Sequence, residues 1–342
     1  MAAGLILRIP RVAAGTQPEH ALQRFLGEEA DGLFTHVLFD GPASQQWLEL
    51  LESTEGYTAP VVYGILGRGI PARRGERAVY GDAACAATLG EAFSHGFAGQ
   101  SGVPIHRALA DTLELRAGSC VTYLPETTST GGAPGQSLHD SVASRALPDT
   151  QRREMLYCLY GVVCAASGLV AISPETFVVA ETDPAEPGMQ QTGDQRPAPD
   201  TGGFEQLAAA LGTPGTLTFD LWNDCLALIR ARQRHPALAE ESGERLLEAG
   251  EQVVALLRGG HEPADSGDKP STGVPVLALA NVSSEVAEAR IDVRALPNDI
   301  SPAMTDLLTG DTVFVPPSGD HIFSLDLEPY EVLWLELSRD SG

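Results

Sequence analysis

The chain has 342 residues, 43% of them hydrophobic, which is enough to bury a sizeable globular core. Its 46 acidic and 22 basic residues give a formal net charge of -24, and Lys269 is the single lysine. So acidic a surface repels nucleic acid and anionic membranes, and we expect neither as a partner.

Short apolar runs alternate with longer helical patterns along the first part of the chain. The runs predict strands at residues 5–9, 36–39, 60–66, 120–124 and 168–172. The helical patterns lie at residues 18–26, 44–51, 83–97, 104–115 and 151–166. This alternation predicts β/α units around a parallel sheet.

The pattern changes in the second half of the chain. Residues 184–203, rich in Pro, Gly, Gln and Asp, predict a loop or linker, and helical patterns follow at 204–211 and 217–234. From about Gly243 the apolar period becomes two, which predicts strands at residues 245–248, 252–257, 274–282, 289–293 and 322–337. We therefore predict two domains, residues 1–238 and residues 239–342.

Two segments near the C-terminus carry a recognisable pattern. Residues 306–310 read Asp-Leu-Leu-Thr-Gly, a turn closed by glycine, and residues 325–335 alternate as a strand pair with a corner at Pro329 and Tyr330. Upstream, residues 228–238 read Leu-Ile-Arg-Ala-Arg-Gln-Arg-His-Pro-Ala-Leu. Together these segments resemble glycoside hydrolase family 13, in particular its branch of sucrose and glucosylglycerate phosphorylases.

The resemblance implies an α/β fold, a degenerate or incomplete (β/α)8 TIM barrel followed by a small antiparallel β-sandwich. It is specific from about residue 192 onward and weaker upstream. There, residues 37–41, 59–71 and 120–124 resemble the segments of the fourth, fifth and seventh barrel strands. In that register the chain begins near the third strand, so we expect a homo- or hetero-oligomer that covers open barrel edges.

The chemistry of this family requires three carboxylates at the carboxyl ends of barrel strands. Asp40 stands where the nucleophile is expected, but Leu38 replaces the arginine two residues before it. Gly67 stands where the proton-donating glutamate is expected, and Thr127 and Thr128 replace a His-Asp pair. At most one of the three carboxylates is kept, and Asp40 also fits a turn residue before Gly41.

Other residues could supply chemistry at the same strand ends. Glu126 follows the seventh-strand segment and could pair with Asp40 as a second catalytic carboxylate, although loop glutamates are usually solvated. Arg73, Arg74 and Arg77 form a basic cluster after the fifth-strand segment, where a substrate or a phosphate would approach, and a solvated loop is the plainer interpretation. The expected ligand is an α-glucoside or a sugar phosphate.

No metal-ligand spacing stands out among the eight histidines, so we predict neither a metal nor a cofactor. The five cysteines lack C-x-x-C spacing and are interpreted as buried thiols. The N-terminus lacks a basic leader, and no apolar run reaches the roughly 18 residues that span a bilayer, which predicts a cytoplasmic protein.

Three hypotheses follow for the function. The first is a degenerate relative of the sugar phosphorylases that has lost its catalytic carboxylates and acts by binding or regulation. The second is an active retaining phosphorylase or hydrolase that uses Asp40 with Glu126. The third is a structural remnant with no ligand. We favour the first, which leans against enzymatic activity.

Overall fold

The computed structural model describes residues 5–9, 36–40, 61–64, 86–115, 122–124, 147–172, 212–238, 243–259, 273–297, 300–315 and 321–338. The chain divides into two compact units. The smaller unit comprises Leu5–Ala84 and Ala171–Trp222, and the larger comprises Met1–Gly4, Cys85–Val170 and Asn223–Gly342.

The smaller unit contains three parallel strands in chain order, β1 (Leu5–Ile9), β2 (His36–Asp40) and β3 (Val61–Gly64). Most of their residues are Val, Ile, Leu, Phe or Tyr, which is typical of strands in parallel sheets. The predicted strands at residues 5–9, 36–39 and 60–66 are thereby confirmed. The helices predicted at 18–26, 44–51 and 204–211, and the loop at 184–203, lie outside the described residues.

Strands and helices alternate through the next part of the chain. The elements are β4 (Ala86–Thr88), α1 (Gly90–Gly99), α2 (Val103–Leu115), β5 (Thr122–Leu124), α3 (Asp149–Ala165), β6 (Leu169–Ile172) and α4 (Leu217–Arg234). Strand β4 pairs with β5, and β5 pairs with β6, both in parallel. The alternation that the sequence predicts is therefore present between residues 86 and 172.

One predicted helix begins too early. The pattern predicts a helix from residue 83, but residues Ala86–Thr88 form β4 and the helix starts at Gly90. Alanine favours helices by a few tenths of a kcal/mol per residue, and this preference is overridden when a strand gains backbone hydrogen bonds from a neighbour. That neighbour is β5, which lies about 35 residues further along the chain.

The C-terminal part of the larger unit is a β-sandwich of eight antiparallel strands. They are β7 (Glu244–Leu247), β8 (Val253–Arg258), β9 (Val276–Asn281), β10 (Ala287–Asp292), β11 (Ala303–Asp306), β12 (Thr312–Phe314), β13 (Ile322–Leu327) and β14 (Val332–Glu336). One sheet has the order β12-β11-β14-β9-β8-β7, and the other pairs β10 with β13. Alternate residues of both sheets form a shared core between them.

The predicted strand pair at residues 325–335 is wrong in one respect. Strand β13 pairs with β10, whereas β14 pairs with β9 and β11 in the other sheet. The predicted corner is present between them, where Tyr330 has a positive φ of 57°. Pro329 and Tyr330 thus carry the chain from one sheet to the other, which a local alternation pattern cannot distinguish from a hairpin.

The central strands β8 and β9 of the six-stranded sheet are buried on both faces. One face contributes to the sandwich core through residues such as Val253 and Leu277. The opposite face packs on α3, so that Val254, Leu256, Ala278 and Trp334 lie against Gly161. This explains why β8 and β9 are buried at every position instead of alternating.

Candidate functional site

The predicted catalytic carboxylate, Asp40, is the last residue of β2. It is in register with Gly64, the last residue of the parallel neighbour β3. Because the carboxyl ends of parallel strands meet at one edge of a sheet, the segments that resemble the fourth and fifth barrel strands end side by side. At this edge β2 ends on a carboxylate and β3 on a glycine.

The remaining predicted site residues lie outside the described residues. Glu126 comes two residues after the last residue of β5, Leu124, and Arg73, Arg74 and Arg77 follow β3 along the chain. Their proposed roles in catalysis and substrate binding therefore stay predictions. Gly67, Thr127 and Thr128, on which the loss of the catalytic set rests, are likewise known from the sequence alone.

A buried arginine pair that the sequence did not predict holds the C-terminal end of α3. Arg232, on α4, is 2% exposed and donates to the carbonyl oxygens of Cys164 (2.5 Å), Ala166 (2.6 Å) and Gly168. Arg258 donates to the carbonyl of Ala165 at 2.6 Å. The last carbonyls of a helix carry its negative dipole end, so two guanidinium groups satisfy them well.

Arg258 also has an acidic neighbour. Its guanidinium lies 4.0 Å from a carboxylate oxygen of Glu244, and both side chains are fully buried. Glu244 accepts hydrogen bonds from the backbone N–H of Ser167 at 2.6 Å and from the Ser167 hydroxyl. These groups bind one another and the backbone, so their geometry supports a structural role rather than a ligand site.

His235 connects the two segments that carry the family resemblance. Its Nε2 lies 2.9 Å from Oε2 of Glu336, at the end of β14, and its Nδ1 accepts from the backbone N–H of Ala237 at 3.3 Å. Since the backbone N–H donates to Nδ1, the proton of the neutral ring lies on Nε2 and faces the carboxylate. The His-Pro-Ala stretch is thereby tied to the last strand.

Asp306 organises the Asp-Leu-Leu-Thr-Gly turn. Its buried carboxylate accepts from the backbone N–H groups of Leu308, Thr309 and Trp334 and from the Thr309 hydroxyl, at 2.9–3.3 Å. A short side chain that accepts from the following backbone is typical of such turns. This motif therefore has a folding explanation and contributes no catalytic group.

Two buried cysteines of α3 are not activated. Cys158, Cys164 and Cys225 are buried thiols that form no disulfide, as predicted, whereas Cys85 and Cys120 lie outside the described residues. Burial raises the pKa of the Cys164 thiol to about 11, with a smaller opposing effect from Arg232, and burial also raises the pKa of Cys158. Thiols held neutral in this way are poor nucleophiles.

One cleft of the larger unit is too narrow for a ligand. The cleft between α3 and the six-stranded sheet, lined by Gly161, Leu256 and Trp334 among others, leaves no room for a water molecule. In the described ranges, no group of three or more His, Cys, Asp or Glu side chains is arranged to hold a metal ion. None of the helices described is both long and apolar enough to cross a membrane.

Comparison with known sequences supports the family resemblance. The chain is 31% identical over 142 residues to a glucosylglycerate phosphorylase of Spirochaeta thermophila. The match covers 41% of this chain and 22% of the relative's own length. No protein-family model matches the sequence.

Comparison with solved structures supports the fold. An AmyP variant in complex with maltotriose aligns over 95% of this chain and 68% of its own, with 13% identity and a TM-score of 0.53. An Anoxybacillus α-amylase aligns over 90% of this chain and 60% of its own, with 13% identity and a TM-score of 0.51. At such identity the likeness concerns the fold alone.

The predicted resemblance to glycoside hydrolase family 13 is confirmed over part of the chain. Within that family, the sequence similarity is to a sugar phosphorylase, over somewhat less than half of the chain.

Proposed function

We propose that this protein is a catalytically degenerate relative of the sugar phosphorylases that binds an α-glucoside or a sugar phosphate in a regulatory role. In this proposal, residues 1–238 form a degenerate or incomplete (β/α)8 barrel and residues 239–342 the β-sandwich domain. The ligand binds at the carboxyl edge of the barrel strands, where such folds place their sites.

The register of Asp40 with Gly64 is the observation that supports this proposal. A retaining mechanism needs a nucleophile and an acid/base about 5–5.5 Å apart, supplied from neighbouring strand ends. Here the strand next to Asp40 ends on glycine, and its continuation reaches Gly67 where the resemblance calls for a glutamate. General acid catalysis is worth about 10²- to 10⁴-fold, so a chain without it binds sugar but turns it over poorly.

The test is calorimetric titration of the full chain with sucrose, glucosylglycerate, glucose 1-phosphate and inorganic phosphate, with product release followed in the same samples. We expect binding of at least one sugar without turnover. Asp40→Asn should weaken that binding, whereas Asp311→Asn, at an exposed position of the β-sandwich, should leave it unchanged. Binding that is insensitive to Asp40→Asn would place the ligand elsewhere.

An active retaining phosphorylase is the second candidate, because Asp40 keeps the expected nucleophile position at the end of its strand. Glu126 would then serve as the acid/base. Phosphate-dependent release of glucose 1-phosphate, abolished by Asp40→Asn and by Glu126→Gln, would establish this activity. If neither binding nor turnover is detected, the structural remnant is favoured instead.

The proposal also includes a partner chain. We expect a homo- or hetero-oligomer that covers exposed barrel edges, since uncovered strand edges invite pairing with another chain. Sedimentation velocity at micromolar concentration tests the homo-oligomer. A monodisperse monomer that still binds sugar would remove that part of the proposal and leave the ligand intact.

A further inference from the structure

The three strands of the smaller unit have one face without charged residues and one face with two. Side chains alternate along a strand, and residues in register across parallel strands share a face. One face therefore holds Leu5, Leu7, Ile9, Val37, Phe39, Val61 and Tyr63. The other holds Ile6, Arg8, His36, Leu38, Asp40, Val62 and Gly64.

Every titratable or charged group of these strands except Tyr63 lies on the second face. Arg8 and Asp40 are its two charged residues, and His36 occupies the first position of β2. Apart from His36 and Gly64, the remaining residues of these strands are Val, Ile, Leu, Phe and Tyr. Arg8 and Asp40 are therefore the two residues of these strands that offer each other an opposite charge.

The register places Arg8 and Asp40 as diagonal neighbours. Arg8 on β1 is directly opposite Leu38 on β2, and Asp40 is two residues further along β2. With strands about 4.8 Å apart and a rise of about 3.3 Å per residue, the two Cα atoms are about 8 Å apart. Long side chains span such a diagonal. Both residues also lie near the carboxyl ends of their strands.

We propose that Arg8 is the positioning residue of Asp40, so that the two form one charged pair at the carboxyl edge of β1 and β2. An arginine on the neighbouring strand then supplies the positive charge that Leu38 cannot. The pair keeps Asp40 ionised and holds it as an acceptor for ligand hydroxyl groups. This inference rests on the proposed function, because it concerns the same strand edge.

The test reads the protonation of Asp40 and does not depend on sugar binding. The side-chain carboxyl carbons of aspartate are labelled with carbon-13 in the full chain, Asp40 is assigned with Asp40→Asn, and its pKa is measured by NMR titration. We expect a pKa below the ordinary value of about 3.9. Arg8→Gln should raise it by about 1–3 units, and Arg8→Lys should keep it low.

Two further variants separate pairing from a general effect on the fold. The double variant Arg8→Leu/Leu38→Arg moves the arginine to the facing position on β2. Its Asp40 pKa should be closer to that of the unchanged chain than the Asp40 pKa of Arg8→Gln is. His36→Gln, on the same face, should shift it less than Arg8→Gln does. Arg294→Gln should raise the pKa of Asp292, which its hydrogen bonds hold at about 2, and leave Asp40 unchanged.

An ordinary Asp40 pKa in the native chain, or one unmoved by Arg8→Gln, overturns the pairing whatever the sugar titrations show. If acid unfolds the chain before Asp40 titrates, a double-variant cycle at pH 7 replaces the titration. The losses in Tm from Arg8→Gln and Asp40→Asn should then be smaller in combination than their sum. Additive losses overturn the proposal.

Discussion

At the residue scale, Asp306 illustrates a carboxylate whose partners are all backbone or hydroxyl donors. Replacing it with alanine removes the acceptor for the buried Trp334 N–H and for the donors of its own turn. A buried donor left unsatisfied costs about 1–3 kcal/mol, so we expect Asp306→Ala to lower the free energy of unfolding by about 2 kcal/mol or more. Urea unfolding measures this loss.

Asp311→Ala is the matched control, because Asp311 is exposed in the same turn region and its backbone carbonyl, which accepts from the Asp306 N–H, is kept. Exposed substitutions of this kind usually change stability by less than about 0.5 kcal/mol. Equal effects of the two variants would contradict the role assigned to the Asp306 carboxylate.

At Gly161, α3 packs directly against Val332 of the sheet. A Cβ at this position would lie 2.7 Å from both Cγ atoms of Val332, whereas a Cβ at Gly99 in α1 would contact nothing within 4 Å. Overpacking costs about 1–3 kcal/mol, and alanine regains up to about 1 kcal/mol over glycine in a helix. We therefore expect Gly161→Ala to lower the free energy of unfolding by about 1–2 kcal/mol.

Gly99→Ala serves as the comparison in the same thermal unfolding experiment. It gains helix propensity without a clash, so its Tm should be equal to or above that of the unchanged chain. If Gly161→Ala were as stable as Gly99→Ala, the contact between α3 and β14 would be looser than the distances indicate.

At the scale of elements, α4 and the sandwich together hold the C-terminal end of α3. Arg232→Met keeps the aliphatic stem but removes the guanidinium from three carbonyl oxygens. Hydrogen bonds from a charged donor contribute about 1.5–3 kcal/mol each, and the freed carbonyls are buried. We expect a loss of about 3 kcal/mol in the free energy of unfolding, measured by urea denaturation.

Arg230→Met is the control within the same helix, since Arg230 is exposed two residues earlier. It should change stability by less than about 0.5 kcal/mol. A loss from Arg232→Met no larger than that of the control would mean that water or another donor satisfies the end of α3.

At the scale of the whole molecule, alkaline pH should destabilise the chain. Burial raises the pKa of Cys158, Cys164 and Tyr157 above their values of 9.0 and 10.0 in an open chain, with Asp224 adding to the effect on Tyr157. The folded state then holds protons that the unfolded chain releases, so stability is complete below about pH 9 and falls above it. Between its pKa in the unfolded chain and its pKa in the folded chain, each such group lowers the free energy of unfolding by about 1.4 kcal/mol per pH unit.

Thermal unfolding between pH 7.5 and 11, in about 1 M KCl to screen the general charge, measures this slope. Cys158→Ala and Tyr157→Phe should each flatten it, because each removes one group that must stay neutral. A slope that neither variant changes would mean that other ionisations govern alkaline unfolding.

Added salt should stabilise the chain. A net charge of -24 destabilises the compact state by self-repulsion, and added KCl screens it as the Debye length falls from about 10 Å at 0.1 M to 3 Å at 1 M. We expect Tm at pH 7 to rise over this range. KCl is preferred to a sulfate salt, which also strengthens apolar burial. A constant or falling Tm would contradict this expectation.

Much of the fold could be predicted because strand and helix periodicity is local. The bounds of β1 and α4 were predicted to the residue, and most other elements to within a few residues. The start of α1 was missed because pairing with a distant strand outweighed alanine's helix preference. Of the candidate site, the sequence located Asp40 at a strand end, but it could not indicate what lies beside it.

The sequence by itself determined the alternation of strands and helices, the antiparallel C-terminal region and the resemblance to glycoside hydrolase family 13. These properties depend on composition, periodicity and motifs within short segments. Only the tertiary structure decided that β13 and β14 lie in different sheets, that Arg232 binds the end of α3, and that Arg8 is in register with Leu38. Each of these depends on register or packing between residues that are distant along the chain, which no local pattern specifies.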